Sequence, residues 1–147
     1  MELSNEDRWE IRDLYFRYSY AFDEGDGAAW AAVFTPDGSF LRSGEPDLVG
    51  SAALAAFVAE RTALAPNVSH HPSNILIEAS PDGARGKAYI LALRMDGREL
   101  RLRNFGRYDD EFVKFEGAWR IAVRRFTGWL EPGTSDSAFM LEAPSAS

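Results

Sequence analysis

Beyond Pro66 the chain changes character, and that change restricts its fold more than any other feature of the sequence. Four strand-like runs follow one another: Val68 to Ala79, Ala84 to Met95, Arg98 to Phe115 and Ala118 to Trp129. Between them stand Ser80-Pro81-Asp82-Gly83, Asp96-Gly97 and Glu116-Gly117, each with a glycine where a hairpin calls for positive φ. Runs joined by turns this short pair antiparallel. The third run exceeds an ordinary strand in length, as a bent strand in a strongly curved sheet would.

Ahead of this meander the pattern is helical. Trp9, Ile11, Leu14, Tyr15, Tyr18 and Phe22 recur at three- and four-residue steps, which predicts a buried helix from Asn5 to Glu24. Ser4 and Asp7 form a capping box at its start, and Gly25 supplies a left-handed cap at its end. Asp26 caps a second helix, Ala28 to Phe34, with Trp30, Val33 and Phe34 on one face. Thr35-Pro36-Asp37-Gly38 reads as a turn, Ser39 to Arg42 as a short strand, and Ser43 to Asp47 as a loop. Gly50-Ser51 opens a third helix, Ala52 to about Leu64, with Leu54, Phe57, Val58 and Leu64 as its larger apolar residues.

Helices first and a meander afterwards predict an α+β domain: three N-terminal helices packed on a strongly curved, mainly antiparallel sheet. Such a sheet with helices across its open side is a cone enclosing a pocket. Its 147 residues suffice for one well-filled core and fall short of two. We assign residues 1–130 to that domain. Residues 131–147 form a tail in which Phe139, Met140 and Leu141 are expected to close over the pocket or a subunit interface, with the last residues frayed.

The formal charge of −7 excludes nucleic acid and an anionic membrane surface as main partners, since phosphate neutralisation needs a basic patch. There is no cysteine, so neither a disulfide nor a thiolate metal site is available. No apolar run approaches a membrane span, and the first residues are acidic where a signal peptide is basic and then apolar. Cytoplasmic residence is the expectation.

Asp23 ends the first helix after an apolar and aromatic run. A carboxylate delivered there must find a partner, have its pKa raised, or reach water in a cavity. The two histidines are adjacent, in Ser69-His70-His71-Pro72-Ser73-Asn74. On a strand one imidazole faces the inside of the cone and the other faces out. His70 shares a face with Asn74 and Leu76, and His71 with Ile75 and Ile77, so the sequence leaves open which ring is inside. Imidazole titrates nearest neutrality, and a neighbouring carboxylate fixes its tautomer and stabilises the imidazolium. Two histidines that point apart make a poor metal set, and no cofactor is expected.

The run Ile11-x-x-Leu-Tyr with Asp23 twelve residues after the isoleucine, Asp26-x-x-x-Trp30-x-x-x-Phe34 and His70-x-x-x-Asn74 resemble the SnoaL-like branch of the NTF2-like superfamily. So do Gly106-x-Tyr108-x-Asp110 and Gly117-x-Trp119-Arg120-Ile121 followed by Arg124. The resemblance covers roughly Glu6 to Trp129. It implies the cone fold, a homodimer or higher homo-oligomer, and relatives among scytalone dehydratase, bile-acid dehydratases, a hexachlorocyclohexane dehydrochlorinase and polyketide cyclases. In the lyases of that group, an aspartate at the end of the first helix orients a strand histidine that removes a proton. Carried over, these are Asp23 and His70. The dehydrochlorinase's lysine position holds Tyr18 here and its late-strand arginine Arg124. A phenol in place of the ammonium points away from halide elimination and toward dehydration, isomerisation or cyclisation of an oxygenated substrate.

The expectation is a cofactor-independent lyase or isomerase acting on a small, largely apolar, oxygenated or polycyclic molecule. His70, Asp23, Tyr18 and Arg124 are its catalytic candidates, and Tyr15, Phe22, Trp30, Phe57, Asn74, Tyr108 and Phe126 its substrate-binding ones. A non-catalytic ligand-binding or assembly module is the rival reading. An epoxide hydrolase is a further one, and needs a second inward acid, for which Asp110 and Glu78 are the candidates. The arginines Arg94, Arg98, Arg101, Arg103 and Arg107 read as a solvated or interfacial band paired with the protein's own carboxylates. Either Arg124 or Arg125 points inward, where an unpaired guanidinium would be costly.

Overall fold

The computed structural model describes residues 2–130 and the backbone of residues 137–140. Three helices, α1 (Asn5–Asp23), α2 (Gly27–Ala32) and α3 (Ser51–Leu64), precede and interleave with β1 (Phe34–Arg42), β2 (Leu48–Val49), β3 (Val68–Ser80), β4 (Gly83–Asp96), β5 (Glu99–Phe115), β6 (Ala118–Gly128) and β7 (Ser137–Met140). The strands lie in the order β2-β1-β6-β5-β4-β3, with β7 pairing β5 off this path. Every pairing is antiparallel except that of β1 with β6. The α+β expectation of helices against a curved, mainly antiparallel sheet therefore holds.

The opening helix is pinned at both ends. Ser4 and Asp7 make the reciprocal capping box. Asp7 also accepts from the Trp119 indole at 2.8 Å and pairs with Lys114 at 2.9 Å, while Glu10 accepts from the Trp119 backbone N–H at 2.8 Å. These contacts tie the first turns of α1 to the β5–β6 hairpin, and the far end is tied to β3 through Asp23. A helix held at two points of one sheet presents its last side chain with little freedom. Gly25, with φ of 73°, then turns the chain into α2.

Ile11, Leu14, Tyr15 and Tyr18 are buried on the sheet side of α1, as the stripe requires. Trp9 is not: it is 68% exposed. At 100° per residue Trp9 and Ile11 stand some 200° apart, so a residue two before a core position cannot share its face. The turn read at Thr35 to Gly38 is absorbed into β1 as an irregularity, marked by the register shift against β6 between Phe34 and Ser39. Gly97 and Gly117 adopt the expected positive φ of 60° and 82°. Gly83 does not; its role is close approach, since a Cβ there would lie 2.2 Å from the Phe112 carbonyl oxygen. The strand β2 and the pairing of Glu99 to Leu102 with β7 were not legible in the sequence. The side chains of Phe139 and Met140, and Leu141 altogether, lie outside the described residues, as does whatever the tail closes over.

Candidate active site

The two ends of the question posed by Asp23 meet. Its Oδ1 accepts from His70 Nδ1 at 2.6 Å, and its Oδ2 accepts from the His70 backbone N–H at 3.0 Å. Because an ionised carboxylate only accepts, Nδ1 carries the hydrogen and Nε2 the lone pair when the ring is neutral. The pair is largely sheltered, with side chains 14% and 17% exposed. Phe22, one residue earlier on α1, packs edge-on against the imidazole at 4.8 Å. His71 points the other way, its Nε2 2.8 Å from the Ser69 hydroxyl.

The alternation that left the histidines ambiguous breaks four residues later. Asn74 sits at φ 53° and the β3–β4 register slips between Ser73 and Leu76. This bulge inverts the parity of the strand, so His70 before it and Ile77 after it both face the helices. Asn74 and Leu76 are consequently exposed, and Asn74 does not join His70 in the pocket as its spacing implied.

His70 opens into a cavity of about 610 Å³ between the sheet and the helices. Of the expected binding residues, Phe22, Phe57, Tyr108 and Phe126 line it, together with Tyr18. Trp30 and Tyr15 do not reach it. Trp30 lies behind the wall, 5.0 Å from Tyr18 and 5.9 Å from Phe57, and holds those rings in place. Arg42, Arg61 and Arg103 also line the cavity. The first two were missed, because neither belongs to a motif and one end of the wall is made by a loop.

Arg124 lies beneath the cavity wall. It is fully buried, and its Nε and Nη2 donate to the two oxygens of Asp110 at 2.7 and 2.8 Å. The two residues sit directly opposite each other on β5 and β6. The guanidinium lies 3.9, 4.3 and 4.8 Å from the ring centroids of Tyr108, Tyr18 and Tyr15. Burial opposes its charge, but Asp110 outweighs burial and holds Arg124 protonated. Burial pushes the Tyr18 and Tyr108 phenols up, so both remain neutral donors at any ordinary pH. Asp110 is therefore committed to Arg124, and Glu78 lies on the outer face of the sheet, so neither stands free beside His70.

Within the arginine band, Arg107 pairs with Asp109 at 2.6 Å, and Arg94 and Arg101 each approach Asp96 at 3.6 Å. Among the described residues no cluster of histidine, aspartate and glutamate has the makings of a metal site. No helix among them is long and apolar enough to cross a membrane.

The sequence matches the profile of the SnoaL-like domain over residues 4–125. The chain belongs to the SnoaL-like family. Its fold is similar to that of Rv3472, a protein of unknown function from Mycobacterium tuberculosis solved as a point variant. The two are 27% identical with a TM-score of 0.78, over 86% of this chain and 76% of that one. An NTF2-like protein with a cystatin-like fold from Novosphingobium aromaticivorans superposes with a TM-score of 0.79 at 23% identity, over 88% and 86% of the two chains. A candidate scytalone dehydratase from the same organism gives 0.73 at 23% identity, over 88% and 91%. At such identities the last two speak for the fold alone. A search of curated protein sequences finds no match.

Proposed function

We propose that this SnoaL-like protein is a cofactor-independent lyase or isomerase, of the dehydratase or cyclase kind. It takes a proton from carbon with His70 in a small, largely apolar, oxygenated substrate. The observation that carries the reading is the double grip of Asp23 on His70, through the ring Nδ1 and the backbone N–H of one residue. That grip leaves Nε2, which has no hydrogen-bond partner among the described residues, as the basic nitrogen beside an aromatic-lined cavity.

In this mechanism Nε2 accepts the proton next to a carbonyl, and the imidazolium formed is stabilised by Asp23, which acts as a positioning residue. The neutral Tyr18 phenol donates a hydrogen bond to the developing enolate oxygen. Arg124 acts through Tyr18 and Tyr108: a cation against the two rings makes their hydroxyls stronger donors without meeting the substrate. In a dehydration the imidazolium returns its proton to the departing hydroxyl, releasing water and restoring the neutral ring; in an isomerisation it returns the proton to a different carbon. A positioned base contributes about 10²- to 10⁴-fold in rate, roughly 3–5 kcal/mol of barrier.

The test is a panel of cyclic β-hydroxy ketones incubated in D₂O and followed by NMR for loss of water or deuterium wash-in at the α-carbon. The wild-type protein accelerates one of the two on at least one member, and His70→Gln abolishes that acceleration while leaving the thermal midpoint nearly unchanged. A His70→Gln protein with full activity refutes the proposal. Homodimerisation also remains a proposal, supported by the exposed aromatic cluster of Tyr89, Phe105 and Trp129 on the sheet and read directly by light scattering.

A further inference from the structure

The pole of the cavity away from Asp23 is cationic, and no ion pair among the described residues neutralises it. Arg42, at the end of β1, lays its guanidinium 4.5 Å from the Phe57 ring centroid and 5.6 Å from that of Phe40. Arg61, on α3, approaches the same Phe57 ring at 5.0 Å. Arg42 donates to the Pro46 backbone carbonyl at 3.2 Å, and its Nε is buried with no partner. Burial disfavours its charge; Glu45, exposed on the rim, offsets part of that, and Arg61 adds repulsion. Elsewhere the chain has carboxylates to spare, and half-exposed arginines such as Arg107 and Arg125 take one each, at 2.6 and 3.0 Å. Among the described residues Phe57 is the one ring that carries two guanidiniums, and neither of them has a carboxylate in contact. Stacking occupies their faces and leaves their in-plane N–H groups free to fork around an oxyanion.

We propose that Arg42 and Arg61 form an anion subsite, and that the ligand of this cavity is an organic carboxylate on a compact, ring-bearing apolar body. That this ligand is the substrate rests on the function proposed above. Phe57 stands 6.0 Å from Phe22, which packs on His70 at 4.8 Å, so two aromatic rings separate the anion subsite from the base along one wall. A body of about two fused rings spans that length, with its carboxylate on the arginines and its acidic C–H at Nε2. The negative charge of Asp23, which does not line the cavity, is taken up by the two N–H groups of His70 and leaves the arginine end as the attractive one.

The experiment is calorimetric titration with 2-naphthoate and with its neutral counterpart 2-naphthamide in low salt. The wild-type protein binds the naphthoate roughly tenfold or more tightly than the naphthamide, the ratio that a net gain of about 1.4 kcal/mol produces. Arg61→Gln, on a half-exposed helix position that does not threaten the fold, lowers that ratio severalfold. The double variant Arg42→Gln/Arg61→Gln brings it to about one while leaving the naphthamide affinity nearly unchanged. No saturable naphthoate binding up to millimolar concentration, no preference in the wild type, or a preference that persists in the double variant overturns the subsite. His70→Gln must retain the preference; its loss there would put the anion on the imidazolium and overturn the assignment equally. Because binding is read by calorimetry on the arginine variants and turnover by NMR on His70→Gln, which keeps the binding preference while losing turnover, this test and that of the catalytic reading fail independently.

Discussion

Removing the carboxylate of Asp110 while leaving Arg124 in place is the perturbation whose effect the structure defines most fully. Both oxygens of Asp110 are used, by Nε and Nη2 of a guanidinium that no solvent touches, and Nη1 already lacks a partner. In Asp110→Leu the cation keeps its contacts with the rings of Tyr15, Tyr18 and Tyr108, worth about 0.5–2 kcal/mol each at most, and loses the one carboxylate that pairs with it among the described residues. Breaking a buried pair from one side costs about 3–5 kcal/mol, because the remaining charge cannot be hydrated. For a chain of this size that lowers the thermal midpoint by roughly 10 °C. Replacing both partners, Arg124→Met with Asp110→Leu, removes the charge altogether and restores most of the loss. Urea denaturation of wild type, single and double variants measures all three. A single variant within about 1 kcal/mol of wild type, or a double variant no better than the single, would refute the reasoning.

Two further outcomes follow from packing and charge. Gly27→Ala should gain up to about 1 kcal/mol from helix propensity alone, yet its Cβ would stand 2.4 Å from the Ala55 carbonyl oxygen of α3. The close approach wins, and a net loss of roughly 1–3 kcal/mol is expected in the same denaturation assay. The Trp119 indole, with Lys114 and Ser4, holds the Asp7 carboxyl well below its ordinary 3.8. A depressed carboxyl contributes stability that is present above that ordinary value and disappears as pH falls toward the folded one. Asp7→Asn is therefore less stable than wild type at pH 6, and the gap narrows steadily as pH falls below 3.8, read as midpoints across a pH series.

The sequence carried the architecture because its signals were local. The capping box at Ser4, the glycine after Asp23 and the Asp96-Gly97 and Glu116-Gly117 turns each act within a few residues, and the meander follows from them. The partnership of Asp23 with His70 was reached through the family pattern, since it joins positions 47 residues apart. What stayed hidden depended on register. The bulge at Asn74 has no signature in Ser73-Asn74-Ile75, yet it decides which side chains of β3 share a face. Asp110 stands in the sequence only as a candidate second inward acid, because the pairing of β5 with β6 alone sets it opposite Arg124. Arg42 and Arg61 come from a strand end and a helix face that meet only when α3 folds over the sheet, so no spacing could announce them.

The central claim, that Asp23 fixes the His70 ring with Nε2 as its basic nitrogen, can be tested without a substrate. Long-range ¹H–¹⁵N correlation at a pH where both imidazoles are neutral reports the tautomer of each ring. His70 is predicted to carry its hydrogen on Nδ1, and Asp23→Asn, whose amide can turn an N–H toward the ring, to shift it to Nε2. An Nε2–H tautomer in the wild-type protein, or a tautomer indifferent to Asp23→Asn, would contradict the account.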